Sequence, residues 1–125
     1  MAFWFVAATK MLPMKLSMRR IILFTGDMPK MMSFYRDVLG LAVLKDERGW
    51  KVFDAGGCMI ALHNGTSRVG RRPPKIGFWS EDVGAARQML VARGAKLGKV
   101  MSGGGLIRCE GKDPDGNPFS ISNRA

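Results

Sequence analysis

From Arg20 onward, apolar and polar positions come in short alternating bursts, interrupted twice by stretches with helical spacing. Arg20-Ile21-Ile22-Leu23-Phe24-Thr25 is apolar, rich in branched residues and bounded by Gly26, which predicts a strand. Asp27 then suits a helix N-cap, with Pro29 near the first turn. Met32, Phe34, Tyr35, Val38 and Leu39 recur at helical spacing, and Gly40 suits the residue after the helix end. Leu41 to Asp46 and Trp50 to Asp54 predict a hairpin around Glu47-Arg48-Gly49. Ala55-Gly56-Gly57 turns the chain, and Cys58 to His63 predicts a fourth strand.

Asn64 to Pro74 is polar and basic. The pattern then restarts. Lys75 to Ser80 predicts a strand. Asp82 opens a helix with Val83, Ala86, Met89 and Leu90 as its apolar positions, and Gly94 closes it. Lys96 to Met101 and Leu106 to Cys109 predict strands around Ser102-Gly103-Gly104-Gly105. Asp113-Pro114-Asp115-Gly116 is a turn with a mechanism: proline pre-sets one angle, Asp bonds its own backbone, and Gly takes positive φ. In the last strand Phe119 and Ile121 point one way, Ser120 and Ser122 the other.

Asp27 and Asp82 stand 55 residues apart, as do Arg20 and Lys75. A βαβββ unit therefore occurs twice. The expected fold class is α+β, with two βαβββ modules pairing curved sheets around a pocket and helices on the outer face. The expected organisation is an apolar N-terminal extension at 1–18, a first module at 19–64, a basic linker at 65–74 and a second module at 75–125. At 125 residues these make one domain with one core.

Period-two alternation sorts the strand residues into two faces. One carries Arg20, Ile22 and Phe24; Met59, Ala61 and His63; Lys75, Gly77 and Trp79; Ser120 and Ser122. The other carries Ile21, Leu23, Ile60, Leu62, Ile76, Phe78, Phe119 and Ile121, uniformly apolar as a helix-covered face should be. The first face is the expected pocket. Arg20 and Lys75 occupy equivalent places and are expected to aim at one cavity. Phe24 and Trp79 are also equivalent and could sandwich a planar ligand. Two cations with aromatic walls suit a small aromatic or amphipathic anion, since a buried unpaired cation needs a counter-ion. The alternative is that both cations splay to solvent on their aliphatic stems. Trp50 is favoured over Lys51 as a cavity residue. His63, the sole histidine, is the candidate for proton transfer, or else a solvated strand-end side chain. Tyr35 reads as core or edge packing, and Asp54 and Glu110 have no partner that the sequence identifies.

Charge sharpens this picture. Lys+Arg 20 against Asp+Glu 10 gives +10, which attracts anions and disfavours a cationic ligand, or serves solubility alone. Arg68, Arg71, Arg72 and Lys75 raise nucleic-acid binding. Basic side chains alone, however, give salt-sensitive, non-specific affinity, and no recognition element accompanies them, so no specific nucleic acid is expected. Ser102-Gly103-Gly104-Gly105 is followed by no helix, so it reads as a hairpin rather than a phosphate loop. Cys58 and Cys109 form no C-x-x-C and read as free thiols in a reducing cytosol. The expected location is cytoplasmic, where the Asn64-Gly65-Thr66 sequon goes unused. Ala2 to Ala8 is apolar but lacks a basic flank and is shorter than a membrane span, so neither a signal peptide nor membrane insertion is expected. Met11, Met14 and Met18 are alternative starts.

Two motifs carry a resemblance. Asp27-Met28 precedes Ser33-Phe34-Tyr35-Arg36-Asp37-Val38-Leu39-Gly40-Leu41, and Asp113-Pro114-Asp115-Gly116-Asn117-Pro118 precedes the last strand. Together they resemble the vicinal-oxygen-chelate superfamily of glyoxalase I, bleomycin-resistance proteins and extradiol dioxygenases, over Arg19 to Asn123. The resemblance implies paired βαβββ modules, a homodimer, and a pocket in each curved sheet. The positions that hold metal in that superfamily fall on Arg20, Ala61, Lys75 and Ser120. None is His or Glu, and two are cations that repel a metal ion. A metal-free member without cofactor is therefore expected, resembling the bleomycin-resistance branch. Its expected function is binding or sequestering a small anionic or aromatic molecule through Arg20, Phe24, Trp50, Ala61, His63, Lys75, Trp79 and Ser120. Bleomycin itself, a cation, is not expected to bind. The alternative is a metal-free lyase, isomerase or other small-molecule enzyme with His63 or a pocket lysine as base.

Overall fold

The computed structural model describes residues 16–124; the apolar stretch Ala2 to Ala8 lies outside the described residues. The chain runs β1 (Arg20–Thr25), α1 (Met28–Ser33) continued by a π-helical turn (Phe34–Val38), β2 (Ala42–Glu47), β3 (Trp50–Asp54) and β4 (Met59–Asn64). It then repeats the order with β5 (Ile76–Trp79), α2 (Val83–Ala92), β6 (Met101–Gly103), β7 (Leu106–Lys112) and β8 (Pro118–Ser122). The strand orders are β1-β4-β3-β2 and β5-β8-β7-β6. In each sheet the outer strand β1 or β5 pairs in parallel with β4 or β8, and the remaining pairs are antiparallel. A parallel pair needs a long crossover connection, and each module's helix lies within it. The fold is α+β, two βαβββ modules.

Both helices start where the aspartates predict. The Asp27 carboxylate accepts from the Lys30 N–H at 3.2 Å and Asp82 from the Ala85 N–H at 3.0 Å. The first helix is not the continuous α-helix that its spacing predicts. After Ser33 it widens, and the Leu39 N–H reaches the Phe34 carbonyl, five residues back, at 2.9 Å. Within this wider turn the consecutive aromatics serve two sheets. Phe34 packs on Phe119 of β8 at 5.9 Å, and Tyr35 packs on Phe53 of β3 at 5.9 Å.

Helix α1 thus joins the modules through one core. That core contains Phe53, Ile60 and Leu62 from the first sheet and Ile76, Cys109, Phe119 and Ile121 from the second. Each such side chain removed from water contributes about 1.5–3 kcal/mol. The apolar set read from alternation is this helix-covered face; Ile21, Leu23 and Phe78 pack at its margin. Because the helix-covered faces meet in one core, the opposite face of each sheet stays open to solvent. Phe24 and Trp79 are 52% and 60% exposed there.

The second module departs from expectation between Lys96 and Cys109. The predicted strand from Lys96 shrinks to β6 plus one bridge, Leu97 to Gly111. There Arg87 of α2 crosses to the segment, and its guanidinium donates to the carbonyls of Gly98 (2.7 Å) and Leu97 (3.2 Å). Strand β7 runs past Cys109 to Lys112. Gly103 pairs with Leu106, so the glycine run is a two-residue hairpin of Gly104 and Gly105 at φ 59° and 83°.

The Asp-Pro-Asp-Gly-Asn turn is tied into the core. The Asp113 side chain, 4% exposed, accepts at Oδ1 from the N–H groups of Asp115 (3.0 Å) and Asn117 (2.9 Å). At Oδ2 it accepts from Asn117 Nδ2 (2.8 Å) and from the Tyr35 hydroxyl (2.7 Å). Tyr35 is therefore more than packing: it is a buried polar tie between the modules. Burial first, and the Asp113 carboxylate second, push its phenol far above the ordinary tyrosine range. No helix among the described residues is long and apolar enough to cross a membrane.

Candidate functional site

Strand register decides which of the predicted residues meet. On the first sheet Phe24 and Trp50 both lie opposite His63, and Ile22 and Val52 both lie opposite Ala61. Side chains directly opposite one another share a face. The result is an open patch of Arg20, Phe24, Trp50 and His63. The Arg20 guanidinium sits 5.9 Å from the centre of the Trp50 ring, within cation–π range. The His63 ring stands edge-on to Trp50 at 5.7 Å and to Phe24 at 5.4 Å. His63 Nδ1 lies 2.7 Å from the Asn64 carbonyl. A carbonyl only accepts, so Nδ1 is the donor in this contact, and Nε2 is the acceptor of the neutral ring. Beside β1 a cleft of about 290 Å³ is lined by Ile22, Phe24, Thr66, Arg68 and Asn117. The linker thus brings a second guanidinium, Arg68, to this edge. It appears in the sequence only as one of a scattered set of basic residues.

The second sheet carries a different set. Glu110 of β7 lies opposite Ser120, and Arg108 opposite Ser122. Glu110 accepts from Lys75 at 3.0 Å and also bonds Arg108. The Lys75 hydrogen bond foremost, with the charges of both cations, holds the Glu110 carboxyl below its usual range against a smaller opposing effect of burial. Lys75 therefore has a partner within the chain, one that it shares with Arg108. The expectation of an unpaired lysine is corrected by Glu110, whose partner the sequence did not show.

Two further expectations change. Ala61 is fully buried, so it floors the sheet rather than touching a ligand. Among the described residues, no hydrogen bond, ion pair or ring contact joins Arg20, Phe24, Trp50 or His63 to Lys75, Trp79 or Ser120. Within one chain the two cations belong to separate faces, and Phe24 and Trp79 form no sandwich. Trp79 instead borders an apolar cleft of about 240 Å³ with Leu39, Leu41, Phe78 and Met89.

The register also locates the four positions that the resemblance marks as metal-holding. Ile22 pairs with Ala61 and Gly77 with Ser120, so Arg20 and Lys75 stand in equivalent places relative to those partners. These four side chains offer one neutral hydroxyl, one methyl and two cations. They do not fit a divalent ion, which takes His, carboxylate or thiolate donors. Among the described residues no group of three or more His, Cys, Asp or Glu could hold a metal elsewhere.

Solved structures share this architecture. A glyoxalase/bleomycin resistance protein/dioxygenase from Nocardioides superposes with a TM-score of 0.72 at 15% identity, over 98% of this chain and 92% of that one. A lactoylglutathione lyase from Agrobacterium tumefaciens gives 0.69 at 20% identity, over 88% and 94%. A protein of unknown function from Agrobacterium tumefaciens str. C58 gives 0.73 at 28% identity, over 91% and 98%. A search of curated proteins found no match. The family model for the Glyoxalase/Bleomycin resistance protein/Dioxygenase superfamily matches residues 17–121. That span holds both modules, the Phe34-Tyr35 turn and the Asp113 turn, and the chain belongs to this superfamily.

Proposed function

We propose that this chain binds a small aromatic or amphipathic anion on the open face of its first sheet, without a metal, and sequesters or carries it. One observation carries the reading. Arg20 lies on Trp50 with no carboxylate partner among the described residues, while its equivalent Lys75 is ion-paired to Glu110, which Arg108 shares. The free guanidinium supplies the charge, and Trp50, His63 and Phe24 supply flat apolar surface. A net charge of +10 adds long-range attraction for anions and argues against bleomycin, a cation, as ligand.

An open patch binds weakly unless something covers it. A second copy of the chain would do so, its own open sheet face closing over the first. The exposed Phe24 and Trp79 rings support a homodimer of this kind. The free thiols of Cys58 and Cys109 agree with a reducing, cytoplasmic setting. A second reading, a metal-free enzyme, draws on the exposed His63, whose Nε2 is free to act as a base.

The test is metal content and ligand-induced thermal shift on one purified sample, screening aromatic carboxylates and phosphates beside divalent metals. The expected result is stabilisation by aromatic anions that Arg20→Ala and Trp50→Ala abolish and that chelators do not touch. Stoichiometric zinc, nickel, iron or manganese would overturn it. Chelator-insensitive turnover lost in His63→Ala would establish the enzyme instead.

A further inference from the structure

On the helix side of the molecule, away from both open faces, a cleft of about 620 Å³ lies between the start of α1 and the β7–β8 turn. Lys30 enters it from α1, Lys96 from the segment after α2, and Lys112 from the end of β7; Phe34 and Pro114 supply apolar wall. The three lysines come from three separate elements, so the fold and not a basic run brings them together. All three are exposed, and none has an ion-pair partner among the described residues.

The one carboxylate lining the cleft is Asp113, and its four hydrogen bonds are already committed to Tyr35, Asn117 and the turn backbone. It cannot turn outward to neutralise the lysines without breaking the tie between the modules. Three like charges around one concavity repel each other and leave a net positive potential there. The volume falls within the range of small-molecule sites. Each ammonium is a compact charge with three donors and no planar fork, which suits phosphate oxygens approached from several directions.

We propose that this cleft is a second anion site that takes a multiply charged phosphate-bearing small molecule, independent of the open-face patch. Lys30, Lys96 and Lys112 grip the phosphates, and Phe34 and Pro114 border the body of the ligand. The rigid Asp113 turn keeps Lys112 and Pro114 in register with Lys30.

The test uses the full chain and inorganic pyrophosphate, followed by calorimetry and by ³¹P NMR at low and at physiological salt. Saturable one-to-one binding that survives physiological salt is expected. Each of Lys30→Gln, Lys96→Gln and Lys112→Gln should weaken it roughly five-fold, the size of one solvent-exposed ion pair, and the triple variant should abolish it. The substitutions are at exposed side chains, so unchanged melting of the triple variant in buffer serves as the folding control. Arg20→Ala should leave pyrophosphate binding unaltered. Binding that persists in the triple variant, falls in Arg20→Ala, or vanishes at physiological salt would overturn the proposal, the last identifying non-specific charge attraction.

Discussion

Removing the Tyr35 hydroxyl isolates one bond between the modules. Tyr35→Phe keeps the ring against Phe34 and Phe53 and deletes only the 2.7 Å hydrogen bond to Asp113. Asp113 Oδ2 then keeps a single donor, Asn117 Nδ2, in a site that water barely reaches. A hydrogen bond to a charged group is worth about 1.5–3 kcal/mol net. The variant also escapes burying a hydroxyl, which offsets part of this, so the expected loss is about 2 kcal/mol. For a chain of this size that lowers the melting temperature by roughly 6–10 °C. Asp113→Ala should cost more, because two backbone N–H groups of the turn lose their acceptor as well. Urea unfolding followed by tryptophan emission measures both, and the double variant should show at least about 1 kcal/mol of coupling.

The pH dependence gives the same bond a second readout. In the unfolded chain the phenol ionises near its ordinary value of about 10, while in the fold it keeps its proton well above that. Above pH 10 the unfolded state therefore holds fewer protons, and stability falls as pH rises; below pH 10 the contribution is complete. Tyr35→Phe has no such proton, so the gap between it and the native chain should close above pH 10 by up to about 1.4 kcal/mol per pH unit. A Tyr35→Phe chain within about 0.5 kcal/mol of the native one at pH 7, with an unchanged alkaline limb, would refute the assignment.

Gly111→Ala places a Cβ 2.6 Å from Leu97 Cδ2 and 2.9 Å from the Lys96 carbonyl, so urea unfolding should show a loss of about 1–3 kcal/mol. Gly57→Ala, with open space around it, should stay within about 0.5 kcal/mol. Glu110→Gln should flatten the acid limb of a stability profile: the native contribution is present above the ordinary glutamate value and is lost as pH falls through the lower folded value. An acid limb identical in both chains would remove Glu110 from the account. With a disulfide-exchange reagent in native buffer, Cys58 should react first and Cys109 only on unfolding, since burial both shields the Cys109 thiol and pushes its pKa up; equal rates would contradict the buried placement.

The fold was readable because its signals are local. The aspartate caps, the closing glycines and the alternation of Ile21, Leu23, Ile60 and Leu62 each act within a few residues, and the 55-residue offset repeats them. What alternation cannot carry is a contact set by another element. The π-helical turn at Phe34 arises because two neighbouring aromatics answer to two different sheets. The Tyr35–Asp113 bond joins residues 78 apart in sequence. The segment expected as a strand from Lys96 is bonded by Arg87, which sits on a helix and reaches across to it. In each case the local pattern is correct as far as it goes and a tertiary partner overrides it.

The candidate site shows the same division at the level of the repeat. Alternation placed Arg20 and Lys75 at equivalent positions, and the register agrees. It could not say that they differ, because the difference lies one strand further across the sheet. Opposite Ser120 the second module places Glu110; opposite Ala61 the first module places Val52. Opposite Ser122 stands Arg108; opposite His63 stands Trp50. The second face therefore ion-pairs its own lysine, through a Glu110 that Arg108 shares. The first face also holds carboxylates, Asp54 opposite Met59 and Glu47 opposite Trp50, but among the described residues neither pairs with Arg20, and the guanidinium settles on the Trp50 ring instead. A duplicated unit with two cations has thus become one face whose lysine is ion-paired and one face whose guanidinium lies on a ring, without an ion pair among the described residues. That asymmetry, more than the net charge, is why the first sheet is where a ligand should be sought.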